Sequence, residues 1–510
     1  MERPGSRAAA EQQDDIADLA KGGRTNFFGF VLRLVARIPF LFIAGRLYGP
    51  TELGRFALAI LVIEFAAQLA TLGLKRGLAQ QLSKNERPHV HIVWDGLLIA
   101  GCASAIAAVI LAALPQLMFP NSNINGLEQL MPLIIFAIAW SDVSLAALAY
   151  RRDVGATVRA RAIIEPWTIS IAAFGFYFYS QRDGLILAYA LSMVAALTAS
   201  LYPFIRSYGL PRGWKPEPRP LFAMARRNMP LAAADAIEWG TRNVDRFILG
   251  LFFAPAVVGI YWVAQQIVTL PQKLKTSFDP ILGPVITQNL EAGNKAAVAA
   301  QVRQVGFWII AAQAGIALSL SIPGEAVMGL AGPEFVGGTA ALSFLLLAEV
   351  VAATAVVSES ALIYIARHRN LMISLATISL QIALSFAFIL GAQALHWPVA
   401  VQAVGPALAL PVALGFASVT KARLLSRLLD APVSGWRWAL VWASAAAAVV
   451  GFVAIQVPEW LELTVGLPLI LLSYGLVIWF KGFTAEDRVL FKLKKGQSAP
   501  VEAEPAPSTR

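Results

Sequence analysis

Five ionisable residues between positions 235 and 246 fall on one helical stripe. Asp235, Glu238, Arg242, Asp245 and Arg246 recur at i, i+3, i+7, i+10 and i+11 within an otherwise apolar run. A charge at mid-depth in a membrane costs a few kcal/mol on insertion scales, and a stripe of alternating sign cannot face lipid. It is expected to face the interior of a helix bundle. Arg33 and Arg37 lie one helical turn apart on one face of another apolar run, with Arg37 near its middle, and pose the same problem. Guanidinium groups pair with phosphate and diphosphate through parallel hydrogen bonds. A cavity lined by Arg33, Arg37, Arg242, Arg246 and the mid-depth acid Glu64 would therefore take an anionic solute. Glu238, Asp245 and Asp142 are the candidate cavity or coupling acids, and Glu349 and Glu359 are further acids in apolar runs.

Blander readings stand beside these. Arg246 next to Asp245 is equally a structural ion pair, and Asp142 is equally a hydrogen-bonded helix contact. Arg46 and Arg55, near the ends of their runs, read as snorkelling cations. Glu165, just before Pro166, reads as structural. Trp94, Trp167, Tyr189, Trp239, Tyr261 and Trp262 are of the type that stacks on sugars, although most aromatics of membrane helices serve packing or the interfacial belt.

The elements that must position these residues follow from composition. The 510 residues are 57% hydrophobic and 14% charged, against about a quarter charged in a soluble domain. The fold class expected is an all-α integral membrane protein with about 14 transmembrane helices. A single cysteine, Cys102, and four scattered histidines offer no metal cluster and no disulfide, so neither metal nor cofactor is expected. The polar first 25 residues carry no apolar core of a signal peptide.

Charge placement sets the topology. With the N-terminus inside, roughly 34 of the 41 Lys and Arg residues fall in cytosolic segments, while the opposite loops carry only Arg182. The net charge of +10 is thus a topology signal rather than a nucleic-acid footprint, with both termini cytosolic. The expected organisation is a cytosolic tail (1–25), a six-helix lobe (26–206), a cytosolic linker (207–228), a second six-helix lobe (229–420), two additional spans (421–481) and a cytosolic tail (482–510).

One stretch occurs twice. Residues 33–59, RLVARIPFLFIAGRLYGPTELGRFALA, align with EWGTRNVDRFILGLFFAPAVVGIYWVA 205 residues later. Arg37 falls on Arg242, Gly45 on Gly250, Pro50 on Pro255, Gly54 on Gly259 and Ala59 on Ala264. With six spans between the copies, both point the same way, so a pseudo-twofold axis along the membrane normal is expected.

These residues also carry a family resemblance. RLYGPTELGRFALA followed by ATLGLKRGLAQQLS resembles the opening of the polysaccharide transporter family in the MOP flippase superfamily. NVDRFILGLFFAPAVVGIYWVAQQIVTLP, DPILGPVITQNL and GLAGPEFVGGTAALSFLLLAE resemble its later elements, so that the likeness covers roughly residues 26–430. The resemblance implies translocation of polyprenyl-diphosphate-linked oligosaccharides for O-antigen, capsule or exopolysaccharide across a bacterial inner membrane. Alternating access of two lobes would be driven by an ion gradient or the membrane potential. It implies cavity cations in spans 1, 2, 7 and 8. Arg33, Arg37, Arg242 and Arg246 match spans 1 and 7, whereas span 8 offers only Gln265 and Gln266, with Lys273 and Lys275 near its end. Related lipid II flippases also carry spans 13 and 14, which frame a groove for the lipid tail.

The expected partners are the lipid-linked oligosaccharide, membrane lipids and polysaccharide polymerase or co-polymerase proteins, with no nucleic acid. A multidrug/cation antiporter of the same superfamily would favour an acidic, aromatic pocket. A membrane polymerase or ligase would need a long charged exterior loop, and no exterior loop here exceeds about 15 residues, so no enzyme and no catalytic residues are expected. A non-transporting scaffold in a polysaccharide assembly complex is the remaining alternative.

Overall fold

The computed structural model describes residues 35–84, 87–124, 127–276, 286, 289–290 and 293–484; the side chains of Val154, Glu238, Leu270 and residues 273–276 lie outside that description. Among the described residues there are helices and turns and no strand. We number the principal helices α1 (35–48, ending in the π-helical Ala44–Tyr48), α2 (Gly49–Ala70), α3 (Leu74–Leu82), α4 (His89–Ala113) and α5 (Ile134–Tyr150). Next come α6 (Glu165–Tyr177, preceded by the π-helical Val158–Ile164), α7 (Gly184–Tyr208), α8 (Pro218–Phe252), α9 (Pro255–Thr276) and α10 (Lys295–Ser321). The chain closes with α11 (Thr339–Ile365), α12 (Arg367–Ala394), α13 (Val399–Leu429), α14 (Ala439–Ala454) and α15 (Leu467–Val477). Nine helical runs among the described residues are long and apolar enough to cross a membrane, one being the continuous run Val35–Leu82 that holds both α1 and α2.

The outer surface is apolar, as an all-α integral membrane protein requires. Val109, Ile171, Phe178, Trp442 and Phe480 are all exposed, and such a surface in water would be an aggregation hazard. Prolines inside α7, α8, α9 and α13 are tolerated because neighbouring helices re-satisfy the freed backbone groups. The last two helices lean on α10: a Cβ at Gly315 would stand 2.9 Å from Tyr474, and one at Gly451 would stand 2.7 Å from Ile322.

The doubled stretch meets itself. A Cβ on Gly54 would lie 1.7 Å from the Pro255 carbonyl oxygen and 2.9 Å from Gly259 N. A Cβ on Gly259 would lie 2.1 Å from the Pro50 oxygen and 2.9 Å from Gly54 N. Helices α2 and α9 thus touch backbone to backbone, each through the same residues, as a twofold contact between equivalent surfaces does. The neighbouring connections follow the same exchange. Gly45 and Arg46, at the end of α1, meet Ala331 and Leu330 of the α10–α11 connection, with Arg46 Nε donating to the Leu330 oxygen at 3.2 Å. Asn121, in the α4–α5 connection, donates to the Gly250 and Phe253 oxygens at the end of α8, at 2.8 and 3.1 Å.

Sequence and structure part company at two places. Helix α8 begins at Pro218, inside the expected linker. Proline suits the first helical position, where its missing N–H removes nothing. The turns after it carry Arg219, Arg226 and Arg227, so apolarity alone did not mark them as helix. Arg55 does not snorkel. It is buried, donates to Glu52 at 2.7 Å, pairs with the fully buried Glu128, and lies over the Phe119 ring.

Candidate functional site

Inward from the Gly54–Gly259 contact, four aromatic rings close ranks. Phe56 of α2 meets Phe40 of α1 at 5.7 Å, Tyr189 of α7 at 5.8 Å and Trp262 of α9 at 6.2 Å, in tilted or edge-to-face geometry. All four are buried. Tyr189 and Trp262 therefore pack rather than offer faces to a sugar, and Tyr261 is buried as well. Trp239 of α8 lies on Phe65 of α2, with centroids 4.8 Å apart.

Beyond this aromatic layer the side chains become charged. Glu64 of α2 accepts from the Tyr189 hydroxyl at 3.4 Å and stands within electrostatic reach of Arg246, Arg37 and Glu165. Arg37 lies 3.9 Å from Glu165, and Arg161 donates to the other Glu165 oxygen at 2.9 Å. Arg161 also pairs with Asp142 of α5, which has Lys75 of α3 at 3.6 Å. One continuous network thus runs from Glu64 through Arg37, Glu165 and Arg161 to Asp142 and Lys75. It joins six helices or helix ends of the chain before residue 217 to Arg246 of α8.

Glu64, Arg37 and Arg242 are each accessible although Glu64 and Arg242 sit in the middle of long helices. A charge at mid-depth persists where it faces a cavity or a partner. Geometry gives the same direction for Arg242. It lies seven residues beyond Asp235 and fourteen beyond Asn228, all on one face of α8. Asn228 and Asp235 are buried against α3: a Cβ on Gly77 would meet Asn228 Oδ1, and Arg76 Nε lies 3.0 Å from Asp235. Arg242 continues that face past the end of α3, where nothing of α3 covers it.

The remaining members of the stripe divide. Asp245 is buried and turns towards α9, accepting from the Tyr261 hydroxyl at 2.6 Å and from Gln265 Nε2 at 2.9 Å. The Arg246 backbone N–H also donates to Asp245, while its guanidinium donates to Asn243 Oδ1 at 2.5 Å. The pair does not form a side-chain salt bridge. Glu238 has its side chain outside the described residues, and Arg33 lies outside them altogether. Glu359 belongs elsewhere, bound by Lys421 of α13 at 2.9 Å. Sequence reasoning missed Arg161 and Lys75 as members of the network. The i, i+4 spacing of Arg161 and Glu165 was the available signal for the first.

Three comparisons bear on what this site serves. A family model described as polysaccharide biosynthesis protein matches residues 43–317, more than half of the chain. No curated protein sequence matches. Among solved structures, the lipid II flippase MurJ in an inward closed conformation superposes with a TM-score of 0.69 at 12% identity, covering 90% of this chain and 98% of that one. An inward-facing multidrug resistance MATE family transporter of the MOP superfamily gives 0.62 at 14% identity, covering 78% of this chain and 99% of that one. A MATE in the bent conformation gives 0.52 at 13%, covering 81% and 97%. At such identities the likeness establishes the fold, which both kinds of transporter share. The chain belongs to the polysaccharide biosynthesis protein family and is a multi-pass membrane protein with the fold that these solved transporters share.

Proposed function

We propose that the protein is a flippase for polyprenyl-diphosphate-linked oligosaccharide repeat units, working by alternating access in a bacterial inner membrane with both termini cytosolic. The observation that carries this reading is the accessible arginine pair Arg37 and Arg242. The two occupy the same position in the two repeat copies, between a closed Gly54–Gly259 end and a closed α3–α8 end. Arginine binds diphosphate by charge and by paired hydrogen bonds, and a water-holding void makes the head group's passage past hydrocarbon affordable. The polyprenyl tail can stay in lipid throughout. Glu64 and Glu165, set among the arginines, compete with the diphosphate for guanidinium and so favour release. No covalent step is needed. The two halves, roughly 26–206 and 229–420, would rock about the contact between α2 and α9.

The test is depletion of the protein followed by lipid extraction. Complete lipid-linked repeat units should accumulate on the cytosolic leaflet, and their mass would identify the glycan. Accumulation on the opposite leaflet would overturn the reading in favour of a polymerase or ligase defect. Arg37→Ala and Arg242→Ala should each cut export by about tenfold or more, the loss of a charge-assisted bidentate contact, with normal protein in the membrane. Normal export in both would exclude the arginine void as the path.

A further inference from the structure

The N-terminal third of α8 has two unlike faces. Met224, Asn228 and Asp235 are buried, and Met224 and Asn228 lie against Gly96 of α4 and Gly77 of α3. The opposite face is open, and there Pro218, Arg219, Phe222, Ala223, Arg226, Arg227 and Pro230 line a groove of about 740 Å³. Arg219 and Arg226 are two turns apart on one line, with Phe222 between them. All three arginines are exposed, and among the described residues none forms an ion pair and no acidic side chain lines the groove. Arg227 also borders a smaller cavity of about 200 Å³ that holds Lys84 together with Arg87 and Asp95, which pair at 2.8 Å. Arg55 and Arg161, by contrast, are neutralised by carboxylates.

We infer that this groove is a binding site for an anionic phospholipid of the leaflet on the α3 side. Arg226 and Arg227 would fork its phosphate, Arg219 would hold the far side of the headgroup, and Phe222 and Met229 would lie along the acyl chain. The apolar half of the argument is that Phe222 and Met229 are 70% and 56% exposed, on turns next to an apolar span. Basic and apolar side chains mixed at a helix's membrane junction is the pattern of interfacial lipid contact. The groove is set on the side of α8 away from Asn228, Asp235 and Arg242. Its occupant therefore comes from the surrounding bilayer, not from the void between the repeat copies. Because the same helix carries Asp235 and Arg242 on its other face, a lipid held here would fix the helix that closes the α3 end.

The experiment uses the full chain, reconstituted in vesicles of equal parts phosphatidylglycerol and phosphatidylcholine, then re-extracted in non-ionic detergent. Retained lipid is identified by mass spectrometry. The native protein should keep phosphatidylglycerol in preference to phosphatidylcholine. Arg226→Gln/Arg227→Gln should lower that retention by about twentyfold, since each basic side chain at an anionic headgroup contributes a factor of about five. The charge-matched control Arg423→Gln/Arg427→Gln, exposed at the end of α13, should change it less than about twofold, because those arginines are not part of this groove. Arg226→Lys/Arg227→Lys keeps the charge and guards against misfolding; it should retain an intermediate amount, having lost the fork. Equal loss in the two glutamine doubles, or no preference in the native protein, would overturn the site. So would retention of a polyprenyl diphosphate from cell membranes in place of phospholipid.

Discussion

The two ends of the bundle are closed by different means. At the Pro50/Pro255 end the equivalent glycines Gly54 and Gly259 bring two backbones into contact, and each repeat copy contributes the same atoms. At the other end α3 meets α8 without symmetry. Gly73, in the left-handed region at φ +71°, and Gly77 fit against Asn228, Leu231 and Ala232, and the half-exposed Arg76 reaches the buried Asp235. The first closure is made of contacts that vanish abruptly when the helices part. The second carries, beside its glycine contacts, an ion pair whose cation already sees water. A pivot and a gate would differ in this way.

The sharpest way to break the comparison is a single methyl group. Gly54→Ala and Gly259→Ala each place Cβ inside the opposing backbone, so the helices must separate. Overpacking costs about 1–3 kcal/mol when side chains can yield, and backbone yields less. Each variant should lower the thermal unfolding midpoint of the purified protein and abolish export. Symmetry requires the two losses to be similar. A large loss in one and none in the other would mean that the two copies do not share the contact.

Next in size is Arg55→Ala. The substitution removes the guanidinium paired with Glu128, which is 0% exposed and has Arg182 at 3.6 Å. Breaking a buried pair by removing one partner costs about 3–5 kcal/mol. The readout is the yield and unfolding midpoint of folded protein, not export per molecule. Adding Glu128→Gln should restore much of the loss, because the buried charge goes with it. A variant that is stable but inactive would instead give Arg55 a part in function.

Arg55 also shows what could be read without coordinates. The repeat was legible because Gly, Pro and Arg at fixed spacing survive in both copies, and a close backbone approach demands glycine. The multi-helix membrane fold was legible from apolar length. Arg55 looked peripheral because its position in the run was visible while Glu128, supplied from the turn before α5, was not. The same holds for Asp142, Lys75 and Arg161, which come from three separate segments and meet only when these pack. In α8 the spacing put the five charges on one stripe. It did not say that α9 would present Tyr261 and Gln265 to Asp245, which is buried while Arg242 is accessible.

At the α3 end the expected effect is smaller. Asp235→Asn removes one charge of a pair whose arginine is half-exposed, and such pairs contribute about 1 kcal/mol or less. The protein should remain folded while the gate opens more often. With Cys102→Ser as background, a cysteine at Trp239 should react with a membrane-impermeant thiol reagent up to about fivefold faster when Asp235→Asn is added. Unchanged labelling would mean that the glycine contacts alone hold this end. Arg76→Ala should act more strongly than Asp235→Asn, since it leaves a buried carboxylate behind.

The smallest effects belong to the two straps that flank the pivot. Asn121→Ala loses hydrogen bonds to the Gly250 and Phe253 oxygens, and Arg46→Ala loses one to the Leu330 oxygen. A net hydrogen bond contributes about 1 kcal/mol, less where water can replace it, so the exposed Arg46 should matter less than Asn121. The double variant decides whether the straps are independent. Each ties one repeat copy to the end of the other copy's first helix. Separate straps give a shift in unfolding midpoint equal to the sum of the single shifts. If closure at this end is one rigid event, losing the first strap already loosens the second. The combined shift then falls short of the sum, and the pivot behaves as a single cooperative unit.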